Sequence, residues 1–102
     1  MAKAAIRLAE SAVSDLEEIR KWYVGQQVPE VGNRLVAEII ARIGMLSEQP
    51  EIGRIVPEFG QPFLRELIHP PFRIVYRRNP GRVRIVRVWR SERLLRVEHA
   101  HE

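Results

Sequence analysis

No cysteine occurs in the 102 residues, so disulfides and thiolate chemistry are excluded, and a reducing cytoplasm is the expected setting. Histidine is nearly as scarce, being confined to His69, His99 and His101. Two of these fall in the last four residues, and none has the fixed ligand spacing of a zinc site, so no metal or other cofactor is implied. No apolar run approaches the ~20 residues of a membrane span. The opening "MAKAAIRLAE" lacks the apolar core of a secretory signal, and no export is expected. P-loop, dinucleotide fingerprint and nucleophile elbow are all missing, and Ser91 has no base-and-orienter pair beside it. The last shortage is lysine. Only Lys3 and Lys21 occur, and the second half has none.

What remains fits a single domain over residues 1–102, with 45% hydrophobic and 29% charged residues, enough for one core. Its charge is uneven. Residues 1–50 carry a net −1, whereas residues 51–102 set eleven arginines against six acids, a net +5. Arginine is suited to flat, bidentate contact with phosphate or carboxylate.

Periodicity outlines the elements. Lys3 to Leu8 alternates, with Ala4, Ile6 and Leu8 on one face, as a short half-buried strand does. Ser11 or Ser14 offers a helix start, and Ala12, Leu16, Ile19 and Tyr23 recur at helical spacing up to Gly25. Pro29 suits the first position of a second helix, whose apolar stripe is Leu35, Val36, Ile39, Ile40, Ile43 and Leu46. Residues 47–62, with three prolines and two glycines, read as a surface loop. Three strands follow: 63–68, 72–77 and 82–89, separated by the His69-Pro70-Pro71 corner and the Asn79-Pro80-Gly81 turn. A short helical turn is expected from Ser91. The predicted class is α+β, order β-α-α-β-β-β, with a small antiparallel sheet backed by an N-terminal helical hairpin. The last strand breaks alternation between Ile85 and Val86, which fits either a strand covered on both faces or a bulge.

The stretch from His69 to Leu95 threads arginine through valine, isoleucine and aromatics. Phe72, Ile74 and Tyr76 share one face and read as core. Arg73 and Arg77 take the opposite face, and Arg84 and Arg90 are expected to join them with Val86 and Val88. Such arginines can simply keep a sheet face wet, but clustered like charge calls for an anion, either nucleic-acid phosphate or the carboxylates of an acidic partner. Trp89, at the end of its strand, could stack on a base. Arg78 and Arg82 flank the turn and read as solvated.

The order of elements, together with Asp15-Leu16, Gly53-Arg54, Arg65-Glu66-Leu67, "PFRIVYR" and "VWRSERLL", resembles the RelE/ParE superfamily of bacterial toxins over nearly the whole chain. The resemblance implies the growth-inhibiting half of a type II toxin–antitoxin pair, as in plasmid-stabilisation systems. It also implies a cytoplasmic hetero-oligomer, in which an acidic or amphipathic segment of a cognate antitoxin neutralises the toxin. RelE-like members cleave mRNA on the ribosome, whereas ParE-like members poison DNA gyrase without an accepted catalytic residue. If the chain were a nuclease, Arg65, Arg73, Arg90, Arg93 and His99 would be its candidate catalytic residues, and Glu66 or Glu92 a conceivable base. Val97 stands about where nucleolytic relatives have a tyrosine. Arginine clamps phosphate but, with a pKa above about 12, serves poorly as a general base, so the ParE-like branch is favoured. A nucleic-acid-binding co-repressor acting with its antitoxin is a further alternative. For target or antitoxin contact the candidates are Arg54, Arg65, Arg73, Arg77, Arg84, Trp89, Arg90 and Arg93.

Overall fold

The computed structural model describes residues 3–91. Strand β1 (Ala5–Leu8) leads into helices α1 (Glu10–Gly25) and α2 (Pro29–Gly44), and a 3-10 turn at Met45–Ser47 closes the helical hairpin. Strands β2 (Arg54–Ile55), β3 (Leu64–His69), β4 (Phe72–Asn79) and β5 (Arg82–Arg90) complete one sheet in the order β1-β5-β4-β3-β2. The expected succession of elements is present, with Pro29 opening α2 as anticipated. Two features depart from the expectation. β1 runs parallel to β5, making the sheet mixed, and the 47–62 loop contributes the two-residue edge strand β2. A two-residue strand has no alternation to detect, and strand direction depends on where the helical hairpin returns the chain.

The helices cover one face of the sheet. Ala12, Leu16 and Ile19 of α1 and Leu35, Val36, Ile39 and Ile43 of α2 join Leu67, Phe72, Ile74, Tyr76, Val83, Ile85 and Val88 in a single core. Phe72, Ile74 and Tyr76 are core residues, as their spacing indicates. Ile40, which the stripe included, is half exposed. The helices approach closely at Gly32, where a Cβ would lie 2.9 Å from that of Tyr23.

The irregularity in β5 is a bulge. Val75 pairs with Arg87 and Tyr76 with Ile85, so Val86 is the extra residue. It resets the alternation, and Val83, Ile85 and Val88 all turn to the core. The same shift overturns the expectation that Arg84 and Arg90 share a face. Arg84 stays on the open side, while Arg90 pairs across from Phe72 beneath α1.

β1 accompanies β5 only as far as Ile85, and α1 takes over that edge. The Ala9 N–H donates to the Ile85 carbonyl at 2.8 Å, so the helix begins at Glu10 as soon as the strand ends. Neither expected serine caps it. Ser11 Oγ instead donates to the Val86 carbonyl at 2.6 Å, and Asp15 Oδ2 accepts the Val88 N–H at 2.9 Å. Two side chains one turn apart on α1 thus satisfy backbone groups along β5 that have no strand beside them.

Candidate functional site

The open face of the sheet carries a buried charge network. Glu66 on β3 is 1% exposed, and both its oxygens are engaged. Arg54 Nε donates to Oε2 at 2.6 Å, and Arg73 Nε to Oε1 at 2.7 Å. Arg73, 6% exposed, also grips Glu58 through a two-pronged contact of 2.9 Å on each side. Two cations and two carboxylates therefore neutralise one another. The guanidinium pKa of Arg73 is raised, chiefly by the Glu58 hydrogen bonds and further by Glu66, against the opposing effect of burial. Arg73 lies on the open face as expected, but its anion is supplied by the chain itself. Glu58 went unnoticed in the sequence because it sits in an aperiodic loop.

A second constellation closes the end of the core. The Tyr76 hydroxyl donates to the Pro50 carbonyl at 2.8 Å and accepts the Gly53 N–H at 2.9 Å. A Cβ at Gly53 would lie 2.6 Å from that hydroxyl and 2.7 Å from the Glu66 carbonyl oxygen, so only glycine fits. Arg65 binds the carbonyls of Pro62 at 3.0 Å, Gly53 at 3.1 Å and Glu51 at 3.4 Å. Gly53-Arg54, Arg65-Glu66 and Arg73 through Tyr76 thus meet in one place, where they fasten the 50–63 loop to the sheet.

At the β5 edge, Asp15 holds Arg87 bidentately, Nε to Oδ2 at 2.8 Å and Nη2 to Oδ1 at 2.9 Å, and this pairing raises the Arg87 pKa. Arg87 also lies 4.6 Å from the centroid of the half-buried Trp89 ring. Arg90 sits 5.5 Å from the ring centroids of both Trp22 and Phe72. Trp22, Phe72, Trp89 and Arg90 border a groove of about 610 Å³ between α1 and the sheet end, lined also by Asp15, Glu18 and Val88. Trp22, 52% exposed, lies outside the apolar period of α1, and its part in the groove depends on where α1 crosses β5.

The remaining candidates scatter. Arg77 and Arg84 are exposed on the open face, with Arg77 4.8 Å from the Phe63 ring centroid. Arg54 keeps most of its side chain in solvent while reaching Glu66. Arg93, His99 and Glu92 lie outside the described residues. His69 contacts Glu38 of α2 at 3.1 Å, away from the open-face network. Among the described residues no cluster of three or more metal-type ligands occurs, and no helix is long and apolar enough to cross a membrane.

The architecture recurs in solved toxin–antitoxin assemblies. A structure described as the chromosomal ParDE TA system from P. aeruginosa superposes with a TM-score of 0.73 at 24% identity, covering 86% of this chain and 96% of that one. The toxin–antitoxin complex RelBE2 from Mycobacterium tuberculosis gives a TM-score of 0.65 at 20% identity, covering 89% of this chain and 94% of that one. The fold is therefore one adopted by toxin–antitoxin components. The family model described as ParE toxin of type II toxin-antitoxin system, parDE, matches residues 6–95. This chain belongs to the ParE toxin family. A search of curated proteins finds no match.

Proposed function

We propose that this ParE-family toxin acts on DNA gyrase, and that a cognate antitoxin neutralises it by direct binding. The observation that carries the reading is the engagement of Arg73. The guanidinium that a nucleolytic mechanism would need as a phosphate clamp is buried and bonded to Glu58 and Glu66. Arg65 is engaged with three backbone carbonyls, and Glu66 is buried with each oxygen accepting from an arginine, out of reach of a substrate hydroxyl. A strand-cleaving reaction needs a positioned base, acid and cationic clamp. Of the candidates for those roles among the described residues, Arg65, Glu66 and Arg73 hold the loop instead, and Arg90 lies apart from them at the groove beside Trp22 and Phe72. For the antitoxin, the groove flanked by Trp22, Phe72 and Val88 offers apolar area, and the basic second half favours a segment with acidic residues.

The test is a paired assay with purified protein. Inhibited supercoiling and accumulated DNA breaks with gyrase are expected, with intact mRNA in a translating ribosome system. Ribosome-dependent cutting of mRNA, abolished by Arg73→Ala without loss of fold, would replace the gyrase reading with the nucleolytic one.

A further inference from the structure

Strand register brings together arginines that are distant in sequence. Arg84 on β5 lies directly across from Arg77 on β4 and, on its other side, from Arg7 on β1. Directly paired residues share a face, and neighbouring strands stand about 4.8 Å apart. Ile6 and Val83 pack on the core side, so Arg7, Arg82 and Arg84, their neighbours along the strands, take the open side. Arg7, Arg77, Arg82 and Arg84 are all exposed, and none has a carboxylate within ion-pair distance among the described residues. This contrasts with Arg54, Arg73, Arg78 and Arg87, each of which is paired within the chain. Like charges set directly opposite one another destabilise a sheet, and among the described residues Phe63 beneath Arg77 is the one ring contact that steadies any of these four.

We propose that the in-register row Arg7–Arg84–Arg77, flanked by Arg82, is a binding site for the phosphate backbone of a nucleic-acid duplex. The choice of phosphate over an acidic peptide follows from the surroundings. The row's nearest same-face neighbours are Ala5, Asn79, Leu64 and the buried Val75, and the groove beneath α1 is lined by none of the row's residues. For an acidic peptide the apolar anchors there are the half-buried Leu64 and Phe63, already covered by Arg77, both at one end of the row, and exposed carboxylate pairs contribute about 0–1 kcal/mol each. A duplex needs no anchor, because each neutralised phosphate releases condensed counterions. The site is separate from the engaged Glu66–Arg73 network, and it stands or falls independently of the gyrase target.

The experiment is fluorescence anisotropy of a labelled DNA duplex, and of an RNA duplex of the same sequence, across a series of sodium chloride concentrations. Sequence-independent binding is expected, with log K falling against log salt at a slope of about −3. Arg7→Gln/Arg84→Gln together should lower affinity more than tenfold and reduce the slope by about 2. Arg34→Gln/Arg42→Gln on α2 should change neither. Equal affinity for the two duplexes identifies the backbone alone as the ligand, and a preference for one names its source. Unchanged slope in the Arg7/Arg84 variant, with thermal unfolding confirming its fold, would overturn the proposal. So would absence of duplex binding, or displacement of the duplex by poly-L-glutamate at equal charge.

Discussion

Glu66 occupies a position in which an unpaired carboxylate would be strongly disfavoured, and its neighbours answer for it unequally. Arg73 is nearly as buried, whereas the Arg54 side chain is 61% exposed. Removing the carboxylate leaves part of a buried guanidinium uncompensated, so Glu66→Ala should destabilise by about 3–5 kcal/mol. Arg54→Ala removes a largely solvated partner and should cost no more than about 1 kcal/mol. Urea unfolding of the two variants separates them, and similar losses would mean that the network is not held from the Arg73 side. Tyr76 makes a pH prediction. Burial raises its phenol pKa above the ordinary 10.0, so the native state keeps a proton that the unfolded chain releases. Stability should therefore be unaffected by this group below pH 10 and fall as pH rises beyond it, with Tyr76→Phe removing that decline. A wild-type profile with the same alkaline slope as the variant would assign the decline to other groups.

The β5 strand and its neighbours show how side chains of one element complete another. Asp15 bridges α1 to β5 by accepting from both Arg87 and the Val88 backbone. Asp15→Ala should cost about 2–3 kcal/mol, because it leaves a part-buried N–H and an arginine without their acceptor. Loss below about 0.5 kcal/mol on thermal unfolding would mean that solvent replaces the carboxylate. Arg84→Gln has the opposite sign: relieving charge between Arg7 and Arg77 should stabilise by about 0.2–1 kcal/mol. Elements of this kind were unevenly legible in the sequence. The helical hairpin and the last three strands follow from apolar period and from proline and glycine placement. The bulge announced itself as broken alternation, yet alternation alone could not separate it from a doubly covered strand. Ser11 looked like a cap because local sequence cannot reveal a carbonyl on a strand seventy-odd residues away.

At the scale of the molecule, one core joins both helices to every strand but β2, so the helix layer has no independent interior. Unfolding followed by far-UV circular dichroism and by the fluorescence of Trp22 and Trp89 should give coincident transitions. A tryptophan signal that departs first would mark the groove as a separate unit. The site was less legible than the fold for the same reason of distance. Arginine enrichment was plain from composition, but its division into Arg54, Arg73 and Arg87, paired internally, and Arg7, Arg77, Arg82 and Arg84, which have no ion-pair partner among the described residues, is a product of register. The strand order also carries a consequence for synthesis. β1 is made first and its sheet partner β5 last, and Asp15 likewise waits for residues 87 and 88. A growing chain that has not yet released residue 90 can pair its two helices but cannot seat its first strand, close its core, or bring Arg7 beside Arg84. For a toxin this is a timing device inherent in topology: the finished surface exists only once the whole domain has left the ribosome.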